Sequence, residues 1–204
     1  LEDGVINTED DRWTIAQSQL DNLSVPSTLT GIVQARLDSL EPNILADLQK
    51  ASVIGRVFWD DTLYTLARGD KSTDELIRSL KELRSREFIF QRDSSAFHET
   101  REFTFKHAIL RDITYQTILK KARLSYHKQV ALWLLDHNDE RLNEFTGLVA
   151  EHLLLAGEMR EALHYLSQAG EKAATQYAHS EAINYFSRAL EICPEADYIM
   201  RYAL

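Results

Sequence analysis

The chain has 204 residues, 44% hydrophobic and 27% charged, enough for one or two domains with a genuine core. Its single cysteine, Cys193, excludes an intrachain disulfide and a cysteine-based zinc site. No apolar run approaches the ~20 residues a membrane helix needs and no N-terminal targeting pattern is evident, so no membrane partner and a cytoplasmic location are expected.

The formal charge of −9 is unevenly placed: residues 1–62 carry a net −7, residues 63–138 a net +4 and residues 139–204 a net −6. Only the middle third can present a basic surface. The sequence opens in mid-pattern at LEDGVI and closes on YIMRYAL, so the chain is expected to be part of a larger protein.

In GVINTEDDRWTI, two short apolar pieces flank a turn-like stretch from Asn7 to Asp11, which predicts a small hairpin. LDNLSVP reads as a connector, and Pro26 with Ser27 or Thr28 as a helix start. In the helix that follows, Leu29, Ile32, Val33, Leu37 and Leu40 share one face. Pro42 suits the first turn of the next helix, where its missing N–H costs nothing. Ile44, Leu45, Leu48, Ala51 and Val53 or Ile54 point inward, and Gly55 is a stop. WDDTLYTLA predicts a short helix capped by Asp60-Asp61 and ended near Gly69. Ser72-Thr73-Asp74-Glu75 is a capping box for a fourth helix with a Leu76, Ile77, Leu80, Leu83 stripe.

After Arg86 the period changes. EFIFQRD and REFTFKH alternate around a polar DSSAFHET loop, which predicts a two-stranded hairpin with Phe88, Phe90, Phe103 and Phe105 turned to the helices. Helices then return in HAILRDITYQTILKKA, RLSYHKQVALWLLDHN and three further segments at 143–156, 159–177 and 180–193. In the last of these, Ala182, Phe186, Ala189 and Pro194 match tetratricopeptide spacing, with Leu166 and Gly170 fitting the preceding helix. GEMREALHYLSQA repeats the theme with Gly157, Ala162, Leu166 and Ala169, but Ala162 and Ala182 are 20 residues apart rather than the usual ~34. A short, irregular array is expected.

The fold class expected is therefore mainly α: a winged helix-turn-helix domain over residues 26–121 with a small β-hairpin wing, then a tetratricopeptide-like antiparallel helical array over 122–204. Residues 1–25 hold the short hairpin and connector.

No phosphate loop, GxGxxG, GxSxG or HExxH motif is present, and no two histidines are spaced i,i+3 or i,i+4. No catalytic or metal site is expected. Arg78, Lys81, Arg84 and Arg86 occupy the position of a DNA recognition helix, but Glu75, Glu82 and Glu87 lie among or beside them, and the acidic total disfavours phosphate neutralisation. Arg111, Lys120, Lys121, Arg123 and Lys128 read as a solvated helical face or a dock for an acidic neighbour. The candidate binding residues are His107, with Lys106 beside it. A helix N-terminus offers free N–H groups and partial positive charge, so a histidine there can donate to a phosphate oxygen; the competing reading is a locally packed helix-initiating histidine.

LEDGVI, the Trp13 hairpin, VPSTLTGIVQARLDSL, ASVIGRVF, FTFKHAILRDITYQTIL and RLSYHKQVA, in this order, resemble the region after the ATPase core of bacterial STAND-type predicted ATPases. Those proteins are often fused to class III adenylate/guanylate cyclase domains or to DNA-binding regulators. The resemblance implies an upstream P-loop ATPase domain as intramolecular partner, ATP or ADP with Mg as cofactors of the parent protein and none in this segment. It also implies that residues 1–25 end a preceding lid region and that an unidentified protein partner meets the tetratricopeptide-like helices. In similar switch ATPases a winged-helix histidine, often followed by aspartate, contacts the β-phosphate of ADP; by position this is His107, followed here by Ala108. The alternative expectation is a winged-helix DNA-binding regulator with a helical sensor tail.

Overall fold

The computed structural model describes residues 6–9, 12–15, 27–68, 71–137 and 142–194, and divides into two compact units, Leu1–Ser39 and Leu40–Leu204. The connector expected over 20–26, the residues between the first two strands, the stop at Gly69 and the C-terminal residues 195–204 lie outside the described residues.

In the first unit, β1 (Ile6–Glu9) pairs antiparallel with β2 (Arg12–Ile15). Asn7, Thr8 and Glu9 belong to the strand rather than to the turn, because each finds a ladder partner (Thr14, Trp13 and Arg12). In α1 (Ser27–Asp38) the buried stripe is narrower than the periodicity suggests: Val33 and Leu37 are buried, whereas Leu29 and Ile32 are exposed.

The second unit is organised around α2 (Pro42–Ile54), which carries Pro42 at its first position and ends at Gly55. It packs on α3 (Asp60–Ala67), α4 (Thr73–Ser85), α5 (Ala108–Gln116) and α6 (Lys120–Asp136). With neighbours on so many sides it buries Leu48, Ala51, Val53 and Ile54, and also Asp47, Lys50 and Ser52. The Asp47 carboxylate is held by Lys71 at 2.6 Å, as a charge taken out of water must be. Helix α4 begins with the expected reciprocal capping box between Ser72 and Glu75. That bond to the Ser72 backbone, more than any other contact, lowers the Glu75 carboxyl below its usual range.

The sheet has three strands, not two: β3 (Val57–Trp59), β4 (Ile89–Gln91) and β5 (Glu102–Phe105), with β5 central and both pairings antiparallel. Trp59 occupies the cap position of α3, so Asp60 and Asp61 fall inside its first turn instead of capping it. Asp60 accepts from the Arg101 backbone N–H and from its Nε, at 2.8 and 2.6 Å. The register also corrects Phe90. Phe90 stands opposite Thr104, and Ile89 opposite Phe105, so Phe90 shares the face of Val57 and Thr104 and is 46% exposed. A one-residue offset between strands transfers a side chain to the other face. Phe58, Phe103, Phe105, Ile89 and Phe88 are buried, with the Phe58 and Phe103 rings stacked at 5.5 Å.

The expected helix from His107 to Ala122 is two helices. Thr114 and Thr117 turn their hydroxyls onto the Leu110 and Thr114 carbonyls, and Arg123 reaches back to the carbonyls of Ile118 and Gln116 at 2.8 Å. These bonds satisfy the end of α5, and α6 starts afresh at Lys120. Beyond it, α7 (Leu142–Ala156), α8 (Met159–Thr175) and α9 (His179–Ile192) each pack on the helix before. Ala150, Leu163, Leu166, Ala189 and Cys193 form their shared core. Gly170 is required there by close approach, since a Cβ would lie 2.7–2.9 Å from three ring atoms of Phe186. Gly157 ends α7 at φ 84°, with Gly157 N–H on Leu154 O and Glu158 N–H on Leu153 O, the paired bonds of a Schellman turn.

Candidate functional site

His107 and Lys106 stand where β5 hands over to α5. His107 occupies the N-cap position in extended backbone, its side chain makes no capping bond, and it is exposed. The first-turn N–H groups of a helix have no intrahelical acceptor, so the imidazole and these donors lie together at the start of α5. Lys106 is not a bare charge beside them. Its Nζ is 2.6 Å from the Glu87 carboxylate and 5.6 Å from the centre of the Phe90 ring.

The body of the same helix enters a buried polar chain. The Tyr115 hydroxyl is 2.9 Å from His127 Nε2, and His127 Nδ1 is 2.9 Å from His152 Nδ1. His152 also bonds to the Ile54 backbone. In a neutral pair one Nδ1 donates and the other accepts, and the Tyr115 hydroxyl takes the complementary role at His127 Nε2. Both rings are buried. Desolvation, helped by the nearby Arg111 and Arg123, pushes His127 down to about 4. Desolvation and the neighbouring His127 push His152 down to about 3. The pair is therefore neutral near pH 7.

Arg111 and Arg123 sit over the Tyr115 ring at 4.8 and 4.6 Å from its centre. Arg111 also donates to the Ser52 carbonyl at 2.7 Å. The network thus ties together α2, α5, α6 and α7. The five cations expected to form one face are divided: Arg111 and Arg123 belong to this network, Lys128 pairs with Glu158, and Lys120 and Lys121 are exposed.

The sequence offered no spacing signal for the histidine pair, whose members are separated by 25 residues. The usable signal was their place on buried stripes, His127 with Val130, Ala131 and Leu134, and His152 with Val149 and Leu153. Two imidazoles and a phenol bonded to one another have no open coordination position. Among the described residues no group of three or more His, Cys, Asp or Glu is arranged to hold a metal, and no helix is long and apolar enough to cross a membrane.

A second junction involves the loop between β4 and β5. Glu102 is buried and accepts from Trp59 Nε1 (3.0 Å), Arg92 Nη1 (2.6 Å) and the Ala96 N–H (2.9 Å). This seats Phe97 edge-on against Trp59 and Trp133, at 4.8 and 4.9 Å, and stacked on Phe145 at 4.7 Å. Asp61 completes the contact by accepting from Trp133 Nε1 at 2.7 Å.

No protein-family model matches the chain. Over 91 residues, 45% of the chain, it is 26% identical to an uncharacterized protein of Rhizobium meliloti (strain 1021). The aligned segment is only 9% of that protein's length.

Proposed function

We propose that this chain is a non-catalytic regulatory and protein-interaction segment of a STAND-type ATPase, in a protein whose output domain is a nucleotide cyclase. In this reading residues 26–121 are a winged helix that gates the nucleotide state, and residues 122–204 are tetratricopeptide-like helices that receive a partner. The observation that carries it is the double role of α5. His107 lies exposed at its N-terminus, while Arg111 and Tyr115 bond its body to α2, α6 and α7. A phosphate of ADP accepting from His107 would hold α5, and a shift of α5 would reach the helical array through His127 and His152. ATP and Mg belong to the upstream P-loop domain that the reading requires. The short aligned share of a much longer relative is compatible with a segment of a multidomain protein.

The DNA-binding alternative needs free cations on α4. Arg86 pairs with Glu82, Arg84 donates to Gln91, and Arg78 donates to the Asp74 carbonyl. The β4–β5 loop, which would serve as the wing, has Phe97 engaged with Trp59, Trp133 and Phe145. Titration of the chain with random duplex DNA at two salt concentrations tests this. The regulatory reading expects no binding in the micromolar range at 150 mM salt, whereas tight binding with a steep salt slope would favour the alternative.

A further inference from the structure

A cavity of about 210 Å³ opens between α7, α8 and α9. Four polar side chains converge on it: Lys172 from α8 and Gln176 at its end, with Glu181 and Tyr185 from α9. Lys172 and Tyr185 are half-buried, while Gln176 and Glu181 are exposed. None of these four side chains makes a hydrogen bond or an ion pair with a described residue. The Tyr185 ring packs on the core of the array. Its hydroxyl lies against Gly147, where a Cβ would be 2.2 Å from the oxygen, so a glycine is needed there for the hydroxyl to reach this position. Polar groups that converge on a cavity without satisfying one another mark a place where a ligand supplies the partners.

We propose that this cavity binds a free α-amino acid with a neutral hydrogen-bonding side chain, such as glutamine. Lys172 donates to the ligand carboxylate and Glu181 accepts from its ammonium. The two side chains line one cavity without pairing with each other, which leaves space between them for a molecule carrying both charges. Gln176 and Tyr185 can each donate and accept, as a side-chain amide on the ligand requires. A nucleotide or sugar phosphate would set several negative charges against Glu181 with one lysine to answer them, and a neutral sugar would leave both charges unpaired. The volume lies below the ~300 Å³ at which sites for drug-sized ligands begin, which suits a molecule as small as an amino acid. The inference concerns a small effector entering the helical array and is independent of any nucleotide role for His107.

The probe is L-glutamine, added to the isotopically labelled 204-residue chain at up to about 10 mM, tenfold above a millimolar Kd. Saturable amide shifts should appear at Gly147, Lys172, Gln176 and Glu181. Lys172→Ala and Glu181→Ala should each weaken binding about tenfold or more, as loss of a hydrogen bond to a charged group requires. The wild-type chain gives a readout that depends on no variant folding. L-glutaminamide, which lacks the carboxylate, and N-acetylglutamine, which lacks the ammonium, should each bind about tenfold more weakly than glutamine. No saturable shift at these four amides, undiminished binding by both alanine variants, or equal affinity for glutamine and its two blocked forms would each overturn the proposal.

Discussion

At the scale of single residues, the histidine pair sets how the molecule responds to acid. Folded-state values of about 4 for His127 and about 3 for His152 lie below the ordinary histidine value of 6.5. The unfolded chain therefore binds protons first as pH falls, and stability is lost between about pH 6.5 and pH 4 to 3. Each histidine contributes a slope of up to about 1.4 kcal/mol per pH unit in that window. Urea unfolding at pH 7.0, 5.5 and 4.5 should show this loss, and an H127Q/H152Q variant should show a shallower dependence. Backbone strain offers a second residue-scale test. Tyr177 ends α8 with the same paired bonds as Gly157 but at φ 61°, and it is exposed. Tyr177→Gly should stabilise by about 0.5–1 kcal/mol and Gly157→Ala should destabilise by a similar amount, both read from denaturant midpoints.

At the scale of elements, close helix contact in the array depends on Gly170. Gly170→Ala forces a methyl against the Phe186 ring and should cost about 1–3 kcal/mol. Phe186→Ala should cost less than a fully buried phenylalanine would, because Phe186 is only half-buried. Phe97 is buried among three aromatic partners, so Phe97→Ala should cost about 3–5 kcal/mol and alter the fluorescence of the stacked Trp59 and Trp133. The helices were legible in the sequence where apolar residues recur at helical spacing and where a capping box or proline marks the start, as in α2 and α4. The split between α5 and α6 was not, because it is made by Arg123 reaching back over five and seven residues. Strand β3 escaped notice because three residues are too few to show alternation, and Phe90 was misplaced because register is a property of a pair of strands. His107 was recognisable from the change of period at FTFKHAIL, whereas the histidine pair needed the fold to meet.

At the scale of the whole molecule, the polar chain of Tyr115, His127 and His152 and the aromatic cluster around Phe97 are two separate ties between the sheet-bearing helices and the array. These ties link the sheet-bearing helices to the array within the second unit, the body that the proposed gate would move. The central claim is that His107, at the free end of α5, senses the nucleotide on behalf of that body. The most direct test is the rate at which ADP leaves the longer polypeptide that includes the nucleotide-binding domain, comparing wild type with His107→Ala. Loss of one hydrogen bond to a charged phosphate should speed ADP release about tenfold or more. Identical release rates in the two proteins would contradict the account.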